Sequence, residues 1–161
     1  MLKKIFNTLG LVFVGLFLQL TLGEMISIQG IRPDFLLVVV ILIGESKGKF
    51  QGELLGFLIG LVADGIGISM LFGLSALSKT IAGFISGFLR NKKSSMGVFY
   101  YYFIILTIIL IHFIILFTIY YNSAQLELQY IVLRYVLPSS LYTFVVYVLV
   151  DNIYPRKNRV S

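Results

Sequence analysis

The chain contains no cysteine and one histidine, and both scarcities limit its chemistry. Without cysteine, disulfide bonds, thiolate nucleophiles and cysteine-ligated metal ions are excluded. A single histidine, His112, leaves little material for a Ser-His-Asp or Cys-His site and makes a poor metal site. We therefore expect no enzymatic activity, no metal and no cofactor, and we interpret His112 as a hydrogen-bonded residue of the core or of an interface.

Charged residues are also scarce, at 12% of 161 residues, whereas hydrophobic residues make up 58%. The mean hydropathy is +0.97. A water-soluble domain of this size could not cover its surface with so few charges, so the composition predicts an integral membrane protein. The length fits one domain over residues 1–161.

Apolar runs predict an all-α protein, a six-helix transmembrane bundle. The predicted spans are approximately residues 5–23, 33–47, 50–67, 70–89, 98–121 and 130–150. The first follows Lys3 and Lys4 and could be a cleaved signal peptide. We favour a retained helix because the run is long and no small-x-small cleavage site follows it.

Two of these segments carry irregularities. The second begins after Pro33 and is short for a hydrocarbon core of about 30 Å. It is either a short spanning helix or a half-helix buried against its neighbours. The sixth contains Pro138, which predicts a kink.

The basic residues predict the topology. With six crossings and both termini on one side, that side collects ten of the thirteen Lys and Arg residues. The positive-inside rule then places both termini in the cytoplasm. The net charge of +6 is explained by this orientation and by attraction to anionic membrane lipid, so no nucleic acid is needed. The ten are Lys3, Lys4, Lys47, Lys49, Arg90, Lys92, Lys93, Arg156, Lys157 and Arg159.

Nucleotide-binding motifs fail on inspection. The run Gly44–Lys49 is one residue too short for a P-loop and lacks the following Ser or Thr. Gly65-Ile66-Gly67 is not followed by a third glycine at the dinucleotide-binding spacing, and we interpret it as a break between helices.

Small residues recur every four positions in the third and fourth segments, which puts them on one face of each helix. This spacing predicts close packing of the two helices as a hairpin. In the third segment the small residues are Gly52, Gly56 and Gly60, followed at the same spacing by Asp64; in the fourth they are Ser75, Gly83 and Gly87, with Lys79 at the intervening position.

Two charges fall inside these apolar segments, and we expect Asp64 and Lys79 to face each other as an ion pair. Ionisable residues within a membrane also suit a proton or solute path, so a central pocket formed by Pro33, Asp34, Asp64 and Lys79 is the alternative. Glu53 and Asp151 lie near the inner interface, where we expect them to be solvated.

Several motifs, taken in order, resemble the rod-shape-determining membrane protein family MreD. They cover a little over a third of the chain, and the length and the six spans agree as well. The chain departs from the family at Ser75, where the family often has asparagine. The motifs are Arg32–Val40, Gly48–Phe57, Gly60–Asp64, Phe72–Leu77 and Gly83–Gly87.

This resemblance implies a non-enzymatic membrane scaffold of the bacterial cell-elongation machinery, which helps to regulate peptidoglycan synthesis and rod cell shape. The implied partners are MreC, the RodA glycosyltransferase with its penicillin-binding transpeptidase and, indirectly, MreB. The family's fold is thought to look like the S components of energy-coupling-factor vitamin transporters. The alternative function is therefore a small-solute-binding subunit of a transporter, and the residues alone do not separate the two.

Overall fold

In the computed structural model, which describes residues 2–66, 71–122 and 126–153, the chain is all-α with six helices. The all-α class is therefore confirmed. The predicted positions 67–70, including Gly67, and the basic residues of the C-terminal tail lie outside the described residues. The helices are α1 (Leu2–Met25), α2 (Phe35–Lys47), α3 (Lys49–Gly65), α4 (Leu74–Ser86, continued by a 3-10 turn over Gly87–Leu89), α5 (Val98–Tyr120) and α6 (Leu128–Ile153).

Helix α2 lies at the centre of the molecule and packs against α1, α3, α4 and α6. Four consecutive residues, Leu36, Leu37, Val38 and Val39, point to different sides of the helix, and none is more than 6% exposed. A helix that is apolar on every side is stable only where other elements surround it, and the run from Phe35 to Ile43 has this composition. With 13 residues, α2 is about 20 Å long.

The glycine-faced hairpin of α3 and α4 is confirmed. A Cβ added at Gly52 or Gly83 would overlap backbone atoms of the other, and one at Gly56 would overlap the Lys79 carbonyl. Gly60 lies equally close to the backbone of Ala76. The absence of side chains at these positions lets the two backbones approach closely, as the spacing predicted.

Helix α2 joins this hairpin through a single residue, Gly48. Its φ of 96° lies in the left-handed region, and its N–H donates to the Gly44 carbonyl at 2.7 Å. Glycine adopts this conformation without a steric penalty, which explains how two helices can be joined by one residue. A Cβ built on Gly44 would lie only 2.8 Å from the Gly83 carbonyl oxygen. Helix α2 therefore takes part in the same close packing.

Helix α6 departs from regular α geometry in its first half. A π-helical turn occupies Val132–Val136, and Pro138 follows after one further residue. Proline donates no backbone hydrogen bond, and its ring clashes with the carbonyl four residues earlier, that of Arg134. A kink was predicted at Pro138, and the structure has a wider, π-helical turn about one turn before it.

The six helices alternate in direction, as their end contacts show. At one end of the molecule the starts of α1, α3 and α5 meet the ends of α2, α4 and α6. At this end the contacts join Thr8 to Lys47, Lys49 to Gly87 and Tyr101 to Tyr147. At the opposite end they join Gln19 to Phe35, Asp64 to Ser75 and Gln29 to Arg134.

Apolar side chains cover much of the outer surface. Helices α5 and α6 are long and apolar enough to cross a membrane, by length and composition. On α1, Phe6, Phe13 and Phe17 follow helical spacing and are each more than half exposed. Large exposed apolar faces on several helices are unusual for a soluble monomer.

Candidate functional site

The first turn of α2 carries a carboxylate that points into the molecule. Asp34 is the N-cap residue, with φ −97° and ψ 92°, and its Oδ1 accepts a hydrogen bond from the Leu37 N–H at 2.8 Å. Aspartate at this position satisfies a free N–H of the first turn, and its charge interacts favourably with the helix dipole. Pro33, which precedes it, is buried. The cap fixes Asp34 at the edge of the core.

Lys79 of α4 neutralises this carboxylate. Its Nζ lies 2.6 Å from Asp34 Oδ2 and also donates to Ser75 Oγ at 2.9 Å. The side chain of Lys79 is 2% exposed and that of Asp34 is 15% exposed. A buried ammonium group is costly without a counterion, so the geometry makes each charge depend on the other.

The expected pair between Lys79 and Asp64 is therefore wrong. The Asp64 carboxylate accepts hydrogen bonds from three backbone N–H groups at the start of α4, those of Gly73 at 2.9 Å and of Ser75 and Ala76 at 3.2 Å. The first N–H groups of a helix have no partner within it, and Asp64 lies directly opposite them. These donors satisfy Asp64 locally and leave Lys79 free to reach α2.

His112 of α5 lies on the other side of the ion pair. Its Nε2 is 3.5 Å from Asp34 Oδ2, and the side chain is completely buried. Its predicted place in the core is confirmed. The predicted hydrogen bond is not found: neither ring nitrogen makes one with the described residues.

Helices α1 and α6 bind the backbone around Asp34. The Phe35 N–H donates to Gln19 Oε1 at 2.8 Å, and the Asp34 N–H donates to Thr143 Oγ1 at 3.1 Å. Gln19 Nε2 also donates to the Pro33 carbonyl, at 3.5 Å. Polar groups from α1, α4, α5 and α6 thus converge on the first turn of α2, and we call this cluster the polar centre: Gln19, Asp34, Ser75, Lys79, His112 and Thr143.

A second buried cluster lies at the opposite end of α2. The Glu45 carboxylate accepts hydrogen bonds from the hydroxyl groups of Tyr101 and Tyr147, the latter at 2.9 Å. Nearby, Asp151 is 1% exposed. The structure therefore joins the end of α2 to the start of α5 and to the last third of α6, through polar contacts that the sequence did not predict.

The expected solvation of Asp151 is wrong. Its Oδ2 lies 2.5 Å from Lys93 Nζ and accepts a hydrogen bond from the Tyr102 hydroxyl at 2.9 Å. These partners replace water and make its burial tolerable. Glu53, in contrast, is exposed on α3, as expected.

Of the predicted pocket residues, the structure brings together Pro33, Asp34 and Lys79, whereas the Asp64 carboxylate is held by backbone N–H groups at the start of α4. Gln19 and Thr143 were missed as partners. The available signal was that each is a polar side chain in a largely apolar helix, which is costly within a membrane unless it bonds inside the bundle. That signal indicates burial but does not identify the partner.

The polar centre is a closed ionic contact. Asp34 is occupied by an ammonium group and a backbone N–H, and this leaves its carboxylate poorly placed to act as a base. Among the described residues, no group of three or more His, Asp or Glu side chains could hold a metal ion. The arrangement can hold the starts of α2 and α4 together, and this is its evident chemical role.

Comparisons with known proteins give no family assignment. No family model matches the chain, and no significant match is found to a curated protein or to a solved structure.

Proposed function

We propose that this chain is a multi-pass membrane scaffold of the bacterial cell-elongation machinery, similar to MreD. It binds MreC and through it influences RodA, the penicillin-binding transpeptidase and, indirectly, MreB. Its six helices form a transmembrane bundle like that of the transporter S components. Both termini lie on the cytoplasmic side of the inner membrane.

The observation that carries this proposal is that the aspartates and glycines of the motifs hold the fold together. Asp34 caps α2 and pairs with Lys79, and Asp64 caps the start of α4. The glycines bring α3 against α4. A scaffold needs a rigid frame with exposed apolar faces for a partner's transmembrane helix, and this frame provides both.

Alternation of the helices supports the proposed topology. The contacts of Thr8 with Lys47 and of Lys49 with Gly87 put basic residues at one end of the bundle. The same end holds the turn at Arg90–Lys93. Membrane proteins carry an excess of Lys and Arg on their cytoplasmic side, so this end faces the cytoplasm.

A second candidate function, a small-solute-binding subunit of a transporter, is favoured by the polar centre itself. Polar side chains that converge from several helices on one point are what a solute site in a membrane would require. The pairing of Asp34 with Lys79 supports the scaffold over this alternative, since a solute would have to replace a contact already made.

Copurification tests the two functions against each other. The tagged chain is extracted from native membranes with a mild detergent, and we expect MreC to copurify. A small molecule retained in stoichiometric amount, without MreC, would support the transporter subunit instead. The variant Gly56→Leu, which separates α3 from α4, should lose MreC, whereas Gly10→Ala, which meets no neighbouring atom, should retain it.

Reporter fusions test the topology. A reporter fused after Asn91 should be cytoplasmic, and one fused after Ser123 should be extracytoplasmic. The reverse pattern would refute the proposed orientation, and the same side for both would refute a crossing by α5.

A further inference from the structure

An apolar groove runs between the first half of α5 and the last half of α6. It has a volume of about 670 Å³ and is lined by residues of Val98–Leu106 on α5 and by Phe144 and Val148 on α6. Every lining side chain is apolar or aromatic. The volume is within the range of ligand sites, and the apolar lining favours an occupant with a long hydrocarbon part.

The length of the groove discriminates between occupants. The lining from Val98 to Leu106 covers about 12 Å at the rise of an α-helix. This approximates one leaflet of a hydrocarbon core of about 30 Å, whereas a partner's transmembrane helix needs the full thickness. The groove therefore fits an acyl chain that enters from one side of the membrane.

Basic residues at the mouth of the groove specify the headgroup. Lys93 Nζ lies 6.0 Å from the ring centroid of Tyr102, a lining residue, and its side chain remains 35% exposed. Asp151 at this end is already paired with Lys93. Lys92, the preceding residue of the same turn, is exposed and makes no ion pair with the described residues, so the turn that leads into the groove has a net positive charge.

We propose that this groove is a binding site for one anionic phospholipid of the cytoplasmic leaflet. Its acyl chain lies against Phe103, Leu106 and Phe144, and its phosphate meets the ammonium groups of Lys92 and Lys93. The proposal rests on the membrane placement proposed above, but not on any protein partner. Juxtamembrane lysines attract anionic headgroups, and the apolar groove adds the specificity that a surface charge lacks.

Tryptophan fluorescence tests this site, because the chain has no tryptophan of its own. Phe144→Trp places a single fluorophore in the groove. Leu141→Trp, on the same helix and 55% exposed, is the matched control outside it. Each variant is reconstituted in phosphatidylcholine vesicles, and phosphatidylglycerol or phosphatidylcholine with brominated acyl chains is titrated in as the quencher.

We expect half-maximal quenching at residue 144 at a mole fraction of brominated phosphatidylglycerol about fivefold lower than of brominated phosphatidylcholine. This is the factor that one basic residue near the surface supplies, because Asp151 offsets the charge of Lys93. At residue 141 the two lipids should quench equally. Both the double variant Lys92→Gln, Lys93→Gln and the groove-filling variant Val148→Phe should abolish the preference at residue 144. The second variant leaves the ion pair of Lys93 intact and guards against misfolding of the first.

Equal quenching by both lipids at residue 144, with normal quenching at residue 141, would overturn the lipid site and leave the membrane placement standing. Absence of quenching at both positions in vesicles made wholly of brominated lipid would overturn the membrane placement as well. If brominated lipid quenched the tryptophan at residue 141 but not the one at residue 144, protein would fill the groove, and this too would overturn the proposal.

Discussion

Two aspartates at the same end of the molecule are held in different ways. Asp34, at the start of α2, is paired with the ammonium group of Lys79 on another helix. Asp64, at the end of α3, is held by backbone N–H groups within the next 12 residues of chain. Both carboxylates are largely buried, but only the first depends on a second charge.

The difference shows what makes a buried charge replaceable. Backbone donors belong to the helix and persist whatever side chains surround them, so neutralising Asp64 removes a bond without exposing an opposite charge. Neutralising Asp34 leaves an ammonium group isolated in the core, which costs much more. The following predictions test this contrast.

The largest effect is expected for Asp34→Asn. Asparagine is also a good N-cap, so the cap on Leu37 is retained and Lys79 loses its counterion. We expect the free energy of unfolding to fall by about 3–5 kcal/mol, measured by denaturant titration in detergent micelles with circular dichroism. The double variant Asp34→Asn, Lys79→Met should recover part of the loss, because no unpaired charge remains; a double variant less stable than the single would refute the pair.

A large effect is expected for Gly60→Ala as well. The added methyl group meets the backbone of Ala76, which donates one of the three hydrogen bonds to Asp64. Overpacking against a backbone should lower the free energy of unfolding by about 3 kcal/mol. Gly10→Ala, the control, should be neutral or stabilising by up to about 1 kcal/mol, since it only improves helix propensity. Equal losses in the two variants would show that contact with α4 is not the cause.

A moderate effect is expected for Asp64→Ala, which leaves the backbone N–H groups of Gly73, Ser75 and Ala76 without their acceptor. We expect a loss of about 2 kcal/mol, and a smaller one for Asp64→Asn, which keeps one acceptor oxygen. If Asp64→Asn proved as damaging as Asp34→Asn in the same assay, the assignment of Lys79 to Asp34 would be contradicted.

The smallest effect is expected for His112→Leu. The ring nitrogens make no hydrogen bond with the described residues, so the substitution removes an unsatisfied polar group and keeps an apolar side chain in place. The free energy of unfolding should change by less than about 1 kcal/mol. A loss as large as that of Asp34→Asn would mean that the imidazole is an essential partner of the carboxylate.

Sequence patterns predicted what depends on neighbours along the chain. The spacing of Gly52, Gly56 and Gly60 indicated one face of a helix, and this face does pack against α4. Helix limits were close to the predicted ones for the same reason, because apolar runs and glycine breaks are local signals. Pro33 likewise marked the start of α2.

Long-range partners could not be predicted in this way. Lys79 and Asp34 are 45 positions apart, and periodicity says which face Lys79 occupies but not which helix lies opposite. The spacing suggested Asp64 because it is the nearer carboxylate along the hairpin. Only the central position of α2, set by the packing of the whole bundle, brings Asp34 within reach.

The shortness of α2 has a consequence for biogenesis. At about 20 Å it is shorter than a hydrocarbon core of about 30 Å, and its two ends carry Asp34 and Glu45. In the membrane placement proposed above, an isolated α2 leaving the translocon would expose both carboxylates to lipid. We therefore expect its insertion to depend on Lys79, which is synthesised only after α3 is complete, so α2 to α4 should be inserted as one cooperative unit.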